Sequence, residues 1–427
     1  MKKKNTIIIV GVPTKETISK MSVFKKEYLK KGSQYKFLLL HNKPVTENRL
    51  TDLSSFFDFI HEVNFDSAHA IITTLLPYQN NLCGISSLGA EAAIPLLRKV
   101  IPHVPYLKTP TTESLEWATD KILMRKRFRS YNKTIGPRYQ IIQEITRDTI
   151  ENLEQKIGYP MIIKPANLAS SMLVSIAYHR EELEKTLKKV SKKITKIYRD
   201  SDRKEQPRIL VEQYLDGEEF SVDAYANNEG KIYFCPIVQI KKASSIGIDD
   251  FFHYMRITPY HLNTIDLHAS HKVASEAIHA LGLRNSSAHI EMIKTESGWK
   301  IVEIGARLGG YRDAMYSRAY NLEHIHNDLR NRLGLKPVIS KKYNGYTAVF
   351  EIFGRKEGVI QKILGLKKIK LLESFHSLNM RKKAGDKNTF AKNGGKPVLS
   401  AQLFNNDKSR LLADIRRLES YLQIIIH

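Results

Sequence analysis

Two acids and an arginine set among buried-strand patterns pose the first chemical question in this chain. In HIEMIKTESGWKIVEIGARLGG (289–310), Glu291 and Glu303 lie in alternating hydrophobic runs on either side of Glu296-Ser297-Gly298. That connection reads as a three-residue hairpin loop with glycine at its left-handed position. If Glu291 faces Glu303, strand alternation puts Ile290, Met292, Val302 and Ile304 on one face and His289, Glu291, Glu303 and Gly305 on the other. Facing Cβ atoms of an antiparallel pair lie roughly 4.5–5.5 Å apart, where like charges repel. Protonation of one acid, solvation of both at a sheet edge, or a cation between them would each compensate. Carboxylates together with phosphate oxygens are the usual ligands of Mg²⁺. Arg307, ending the same strand, could reach the anion that the metal also binds, and Gly309-Gly310 removes the Cβ atoms that would keep backbone N–H groups from a ligand.

Further polar residues occur at strand ends. Lys164 ends the run MIIK ahead of a loop with Ser170-Ser171, a cation and hydroxyls suited to phosphate, and Lys121 lies on the preceding helix. In ILVEQYLDGEEF, Glu212, the backbone of Gln213, Tyr214 and Leu215, and Glu219 could meet an adenine edge and ribose hydroxyls. Taken singly, each lysine reads as a snorkelling surface residue and each glutamate as a solvent-facing strand residue.

The elements that must hold these residues follow from periodicity. Thr6–Val12, Tyr35–Leu40 and His69–Thr73 read as strands alternating with helices, the rhythm of a small parallel sheet. Residues 84–100 carry helical spacing, and proline-rich 101–114 marks a domain boundary near 115. A helix from Ser114 to Tyr131 follows, then strand GPRYQII, a helix ending at IGYP, and two strands in MIIKPANLASSMLVSIA. The region 179–208 is a basic amphipathic helix, and 208–240 reads as three strands. A last unit opens with GYTAVFEIFG and closes with the helix DKSRLLADIRRLESYL.

Across 427 residues, 42% hydrophobic and 9% aromatic, a sizeable core is available in two or three domains. No run approaches the roughly 18 apolar residues of a membrane span, and the apolar stretch after Met1 is too short for a secretory signal, so the cytoplasm is expected. Two cysteines, Cys83 and Cys235, give neither a disulfide framework nor a zinc site. The 68 basic and 44 acidic residues leave +24, which attracts polyanions in general, yet no nucleic-acid-binding signature is present, and specific nucleic-acid binding is not expected.

In order along the chain, TDKILMR (119–125), MIIKPANLASS (161–171), LVEQYLDGEEFSVD (210–223), HIEMI (289–293) and VEIGARLGG (302–310) resemble the ATP-grasp superfamily, specifically its carboxylate-amine ligases of the L-amino-acid ligase type. The resemblance implies α/β and α+β architecture: a pre-ATP-grasp domain over 1–115, an ATP-grasp domain of two α+β halves over 116–340, and a small β-rich closing unit over 341–427. It implies that Lys121 and Lys164, with Ser171, hold the phosphates of ATP, that Glu212 and the Gln213, Tyr214 and Leu215 backbone meet adenine, and that Glu219 meets ribose. Glu291 and Glu303 would carry Mg²⁺ or Mn²⁺, and Arg307 would act with Lys164 on the transferred phosphoryl group and the acyl phosphate. The implied substrates are a small carboxylate and an amine, amino acids among them, with Ala166–Ser171 as a lid, 249–259 facing the acceptor, and a homodimer as in many relatives. Gly305 and the glycine-poor ANLASS depart from the family pattern, where asparagine and glycines are common. A carboxylase-like or purine-biosynthetic-type enzyme and a non-catalytic ATP- or nucleic-acid-binding scaffold are the competing readings.

Overall fold

The computed structural model describes residues 4–42, 44–166, 172–200 and 206–427. Four strands, β1 (Thr6–Val10), β2 (Lys36–His41), β3 (Phe59–Glu62) and β4 (Leu82–Ser86), form a parallel sheet in the order β3-β2-β1-β4. β1 is wholly buried, as a strand covered on both faces must be. His69–Thr73, expected as a strand, belongs instead to the helix Ala68–Leu75. Ser67 accepts a hydrogen bond from the Ala70 N–H, and only Ile71 and Leu75, four residues apart, are buried, so the cap and the helical period prevail over the β-branched composition. β4 opens the stretch expected to be helical, where the helix proper is Ile94–Val100.

The helix expected to run from Ser114 to Tyr131 is two helices, Thr112–Trp117 and Lys121–Tyr131. Asp120 divides them: its Oδ1 accepts from the N–H groups of Ile122 (2.8 Å) and Leu123 (3.0 Å), while Oδ2 pairs with Arg208 at 2.7 Å. The break puts Lys121 at the first position of its helix.

A second sheet contains β5 (Tyr139–Ile142), β6 (Met161–Pro165), β7 (Ser175–Ala177) and β8 (Ile209–Gln213) in the antiparallel order β5-β8-β6-β7. The basic helix Arg180–Asp200 covers it with Leu183, Leu187, Val190, Ile194 and Tyr198, one stripe at helical spacing, and turns its lysines outward.

The largest sheet contains β9 (Glu218–Ala226), β10 (Ile232–Phe234), β11 (Val238–Lys242), β12 (His253–Thr258), β13 (Ser286–Thr295), β14 (Gly298–Gly305) and β15 (Tyr346–Ile352). Residues 208–240, expected to hold three strands, therefore hold β8, β9 and β10 and the start of β11. Five more strands follow: β16 (Gly358–Leu364), β17 (Phe375–Met380), β18 (Lys387–Asn388), β19 (Leu399–Asn405) and β20 (Gln423–Ile426). The sheet order is β14-β13-β9-β11-β12-β15-β19-β17, with β10 beside β9, while β18-β16-β20 is a separate sheet. Strands from the last part of the chain thus extend the central sheet directly, through β12 and β15.

The opening hairpin pairs Glu291 with Glu303 and His289 with Gly305, as its alternation requires. Its connection is shorter than expected, because Thr295 pairs with Gly298 and only Glu296 and Ser297 lie between them. A bulge at Val302 restores the register, so Ile301 rather than Val302 joins Ile290, Met292 and Ile304 in the core.

Candidate functional site

Strand pairing gathers the polar residues on one face of the central sheet. Glu291 lies opposite Ser221 and His289 opposite Asp223 on β9, where Glu219, Ser221 and Asp223 alternate. From β12, His253 reaches the same face, its Nε2 2.9 Å from Glu219 Oε1 and its Nδ1 3.9 Å from Glu291 Oε1. The second Glu219 oxygen lies 3.3 Å from Lys242 Nζ. Burial pushes the carboxyl of Glu291 up, but His253, His289 and Arg307 outweigh it and hold Glu291 well below the ordinary carboxylate range. Burial likewise opposes ionisation of Glu219, and His253 and Lys242 overcome it against the repulsion of Glu291. One ligand atom from each of Glu219, His253 and Glu291 falls within 4.8 Å of the others, a mixed oxygen and nitrogen set that fits a divalent cation.

Across from this acidic face lies a cationic group. Glu212, 4% exposed, accepts from Arg125 Nε at 2.6 Å through one oxygen and from Lys164 Nζ at 2.6 Å through the other. Burial would raise its pKa, yet Arg125 and Lys164 hold it at about 2. The cost of burial falls on Lys164, whose pKa lies below the ordinary lysine value despite Glu212, with Arg125 and Lys121 adding repulsion. Arg125 also donates to the Val302 carbonyl at 2.6 Å, fastening the helix Lys121–Tyr131 to the bulge. Lys121 joins the two groups, its Nζ 3.1 Å from Glu303 Oε1.

The expected residues are therefore brought together, though several are already engaged. Glu212, expected at adenine, has both oxygens on cations. The Gln213 N–H donates to the Arg138 carbonyl and the Tyr214 N–H to the Pro160 carbonyl, at 2.9 and 3.1 Å. Arg307 pairs with Glu91, Nη2 to Oε2 at 2.9 Å, so an acid of the N-terminal region holds it. Ser171 and the rest of the 167–171 stretch, including most of the expected lid, lie outside the described residues.

The glycines have other partners than expected. A Cβ at Gly309 would overlap the His289 ring and the Arg312 stem, and the Gly309 N–H donates to Asp223 Oδ2 at 2.7 Å rather than standing free for a ligand. A Cβ at Gly305 would crowd Arg307 Cγ at 3.3 Å. The missing asparagine at 305 thus leaves room for the Arg307 side chain to fold back over its own strand.

Behind the face lies a buried network that the hairpin pattern did not reveal. Asp223 accepts from His289 Nδ1 at 2.6 Å and His324 Nε2 at 2.7 Å, and Tyr225 hydrogen-bonds the other nitrogen of His324. His289 Nε2 lies 3.4 Å from Glu291 Oε1, so it braces Glu291 from behind. Burial disfavours the imidazolium of His289, but Asp223 and Glu291 outweigh it and raise its pKa, while His289 and His324 hold Asp223 far below the ordinary range. The period-two order Glu219-Ser221-Asp223 was the available signal for Asp223. Arg125 carried none, being one of four basic residues in MRKRFR.

Residues 157–314, which contain Lys164, Glu212, Glu219, Glu291, Glu303 and Arg307, match the ATP-grasp domain family. Over 249 residues the chain is 27% identical to the phosphoribosylamine–glycine ligase of Lactococcus lactis, covering 54% of this chain and 55% of that protein. Over 147 residues it is 29% identical to the D-alanine–D-alanine ligase of Bacillus velezensis, covering 34% and 38%. The chain thus spans about half the length of these relatives, or less. Among solved structures, the L-amino acid ligase from Bacillus licheniformis superposes over 100% of both chains with a TM-score of 0.72 at 19% identity. No described helix is long and apolar enough to cross a membrane. The match over the strands that bear most of the two charged groups identifies an ATP-grasp domain at residues 157–314, and the likeness to the solved ligase shows that the chain as a whole has an ATP-grasp fold.

Proposed function

We propose that this protein is an ATP-dependent carboxylate-amine ligase that forms an amide bond through an acyl phosphate, with an amino acid among its substrates. One observation carries the reading: a group with excess positive charge (Arg125, Lys164 and Lys121 around Glu212) meets a group with excess negative charge (Glu219, Glu291 and Glu303), and the Lys121–Glu303 pair joins them. A polyphosphate carrying a divalent cation is complementary to both at once.

In the first step a carboxylate oxygen of the acid substrate attacks the γ-phosphorus of ATP as the bond to the ADP oxygen breaks. Such transfer needs positioning and charge neutralisation more than a base. Lys121 and Lys164, with Ser171, would neutralise the phosphates, and Arg307 would leave Glu91 for the transferred phosphoryl group. In the second step the amine nitrogen attacks the acyl carbon, the bond to the phosphate oxygen breaks, inorganic phosphate leaves and the nitrogen loses a proton to solvent. Glu291 and Glu303 would hold Mg²⁺ or Mn²⁺, with Glu219 and His253 beside Glu291. The ion, when bound, supplies further neutralisation of phosphate charge. Glu219 would meet the ribose. At adenine, the Leu215 N–H and the carbonyls of 213–215 would serve, with Glu212 fixing the strand from below.

In this reading residues 1–115 supply Glu91 to steady Arg307, 116–340 grip the nucleotide, and 341–427 close the substrate side. A cytoplasmic location and a homodimer belong to the same proposal. Phosphate release from ATP and Mg²⁺, measured against the twenty amino acids singly and in pairs with mass spectrometry of the products, tests it. The expected result is amino-acid-dependent release with a product mass of two residues less water. Nucleotide binding without release across all pools would overturn the amino-acid substrate.

A further inference from the structure

We propose that Arg256 and Arg381, with Tyr311 between them, bind the free carboxylate of the amine substrate, which makes that substrate an amino acid rather than a simple amine. The inference rests on the ligase reading and deepens it.

Arg256 lies on β12, three residues beyond His253, and faces the same side of the sheet as Glu219, through Ile240 of β11. Its Nη2 is 3.0 Å from Glu351 Oε2 on the neighbouring β15, its Nη1 donates to the His253 carbonyl at 3.2 Å, and its guanidinium lies 5.4 Å from the centre of the Tyr311 ring. Tyr311 donates its hydroxyl hydrogen to Glu351 Oε1 at 3.0 Å and accepts from Arg381 Nη2 at 2.9 Å. Arg381 follows β17, so the last part of the chain brings it to Tyr311. Among the described residues it has Tyr311 as hydrogen-bond partner and no carboxylate within ion-pair distance.

Arg256 therefore takes the one glutamate of the cluster, and Arg381, exposed beside Tyr311 four residues past Arg307, adds a positive charge with no carboxylate of its own among the described residues. The neighbouring Arg312 does not need that glutamate, since Asp223 lies 4.0 Å from its Nε and Ser221 accepts from its Nη2 at 2.6 Å. Arginine is a favoured partner for a carboxylate, because its planar guanidinium offers two parallel donors. Two features of Tyr311 agree with a ligand at this place. Its φ of 63° is one that a bulky side chain rarely adopts and that collects at ligand clamps. It also stands as N-cap of the helix Arg312–Tyr320 without a side-chain cap, so the positive end of that helix adds to the attraction for an anion. Were the cluster only structural, Arg256, Tyr311 and Glu351 would be complete without Arg381.

The test compares the twenty amino acids with their α-amides as amine substrates, following phosphate release from ATP and Mg²⁺ in the full chain. The wild type should prefer the acid over its amide by about tenfold or more in kcat/KM, the preference appearing in KM. That preference should collapse toward one in R381A and be partly restored in R381K. R410A, which removes one exposed positive charge elsewhere, should keep it. Equal use of acids and amides by the wild type, or a preference that survives in R381A, would overturn this inference alone. No release with any acid or amide would overturn the amino-acid substrate of the proposed reaction, and this inference with it.

Discussion

Glu212 and Glu291 are both strand glutamates in the ATP-grasp domain, and both are held below the ordinary carboxylate range, but by opposite arrangements. Glu212 lies between Arg125 and Lys164, both its oxygens occupied, in a group whose surplus is positive. Glu291 shares a histidine with a second acid, Glu219, and faces a third, Glu303, in a group whose surplus is negative. In the first arrangement the carboxylate itself is fully partnered and serves to hold two cations in place, whose surplus charge remains. The second leaves charge for something else to balance. On the proposed function, a low carboxylate pKa belongs to a structural group in one place and to a cation-binding group in the other, and the local sum of charges is what distinguishes them.

Charge removal should separate the two regions. E212Q leaves Arg125 and Lys164 buried without their counter-ion and should lower unfolding stability by about 3–5 kcal/mol, read as a shift of the urea midpoint. E291Q removes a carboxylate that His253, His289 and Arg307 hold well below the ordinary range, so it too should lower the urea midpoint, but here turnover should collapse because a proposed cation ligand is lost. Turnover that survives in E291Q would erase the distinction.

Next in size is R307A. On the proposed mechanism, losing the cation that would leave Glu91 for the transferred phosphoryl group should reduce kcat by about 10²–10³-fold, with unfolding unchanged within about 1 kcal/mol because the Glu91 pair is partly exposed. Near-normal turnover would remove Arg307 from the mechanism.

Acid sharpens the contrast. The folded pKa of Glu212, about 2, lies below its reference of 4.5, so its contribution is fully present above about 4.5 and is lost as pH falls from there to about 2. The span corresponds to about 3 kcal/mol for this buried group. The stability gap between wild type and E212Q should therefore narrow through that window; a constant gap would show that the loss in E212Q is one of packing.

The facing of Glu291 and Glu303 was legible from strand alternation about a glycine-containing turn, but it holds because a bulge offsets a connection one residue shorter than that pattern implies. The bulge at Val302 was not legible, since it is set by the contacts of Ile301 with a core assembled from distant segments. Helix breaks are local, yet the cap at Asp120 is masked in the sequence because apolar spacing runs on through it. The partners of the charged residues were the least visible: Arg125 meets Glu212 across 87 positions and Arg307 meets Glu91 across 216. Local pattern specifies faces and periods, whereas ion pairing at such distances depends on the assembled fold.

The smallest expected effect concerns the region where charge is most abundant. Lys185, Lys188, Lys189, Lys192 and Lys196 stand exposed on the helix Arg180–Asp200, while its apolar stripe is buried. Water and salt screen such charges, unlike those around Glu212, so reversing two of them touches neither core nor site. K188E/K192E should leave the urea midpoint within about 0.5 kcal/mol and turnover unchanged. It should weaken the non-specific attraction of RNA that a net charge of +24 creates, with a shallower salt dependence. A loss of turnover in this variant would mean that the basic face guides a substrate, and the opposed charges inside the ATP-grasp domain would no longer account for ligand binding by themselves.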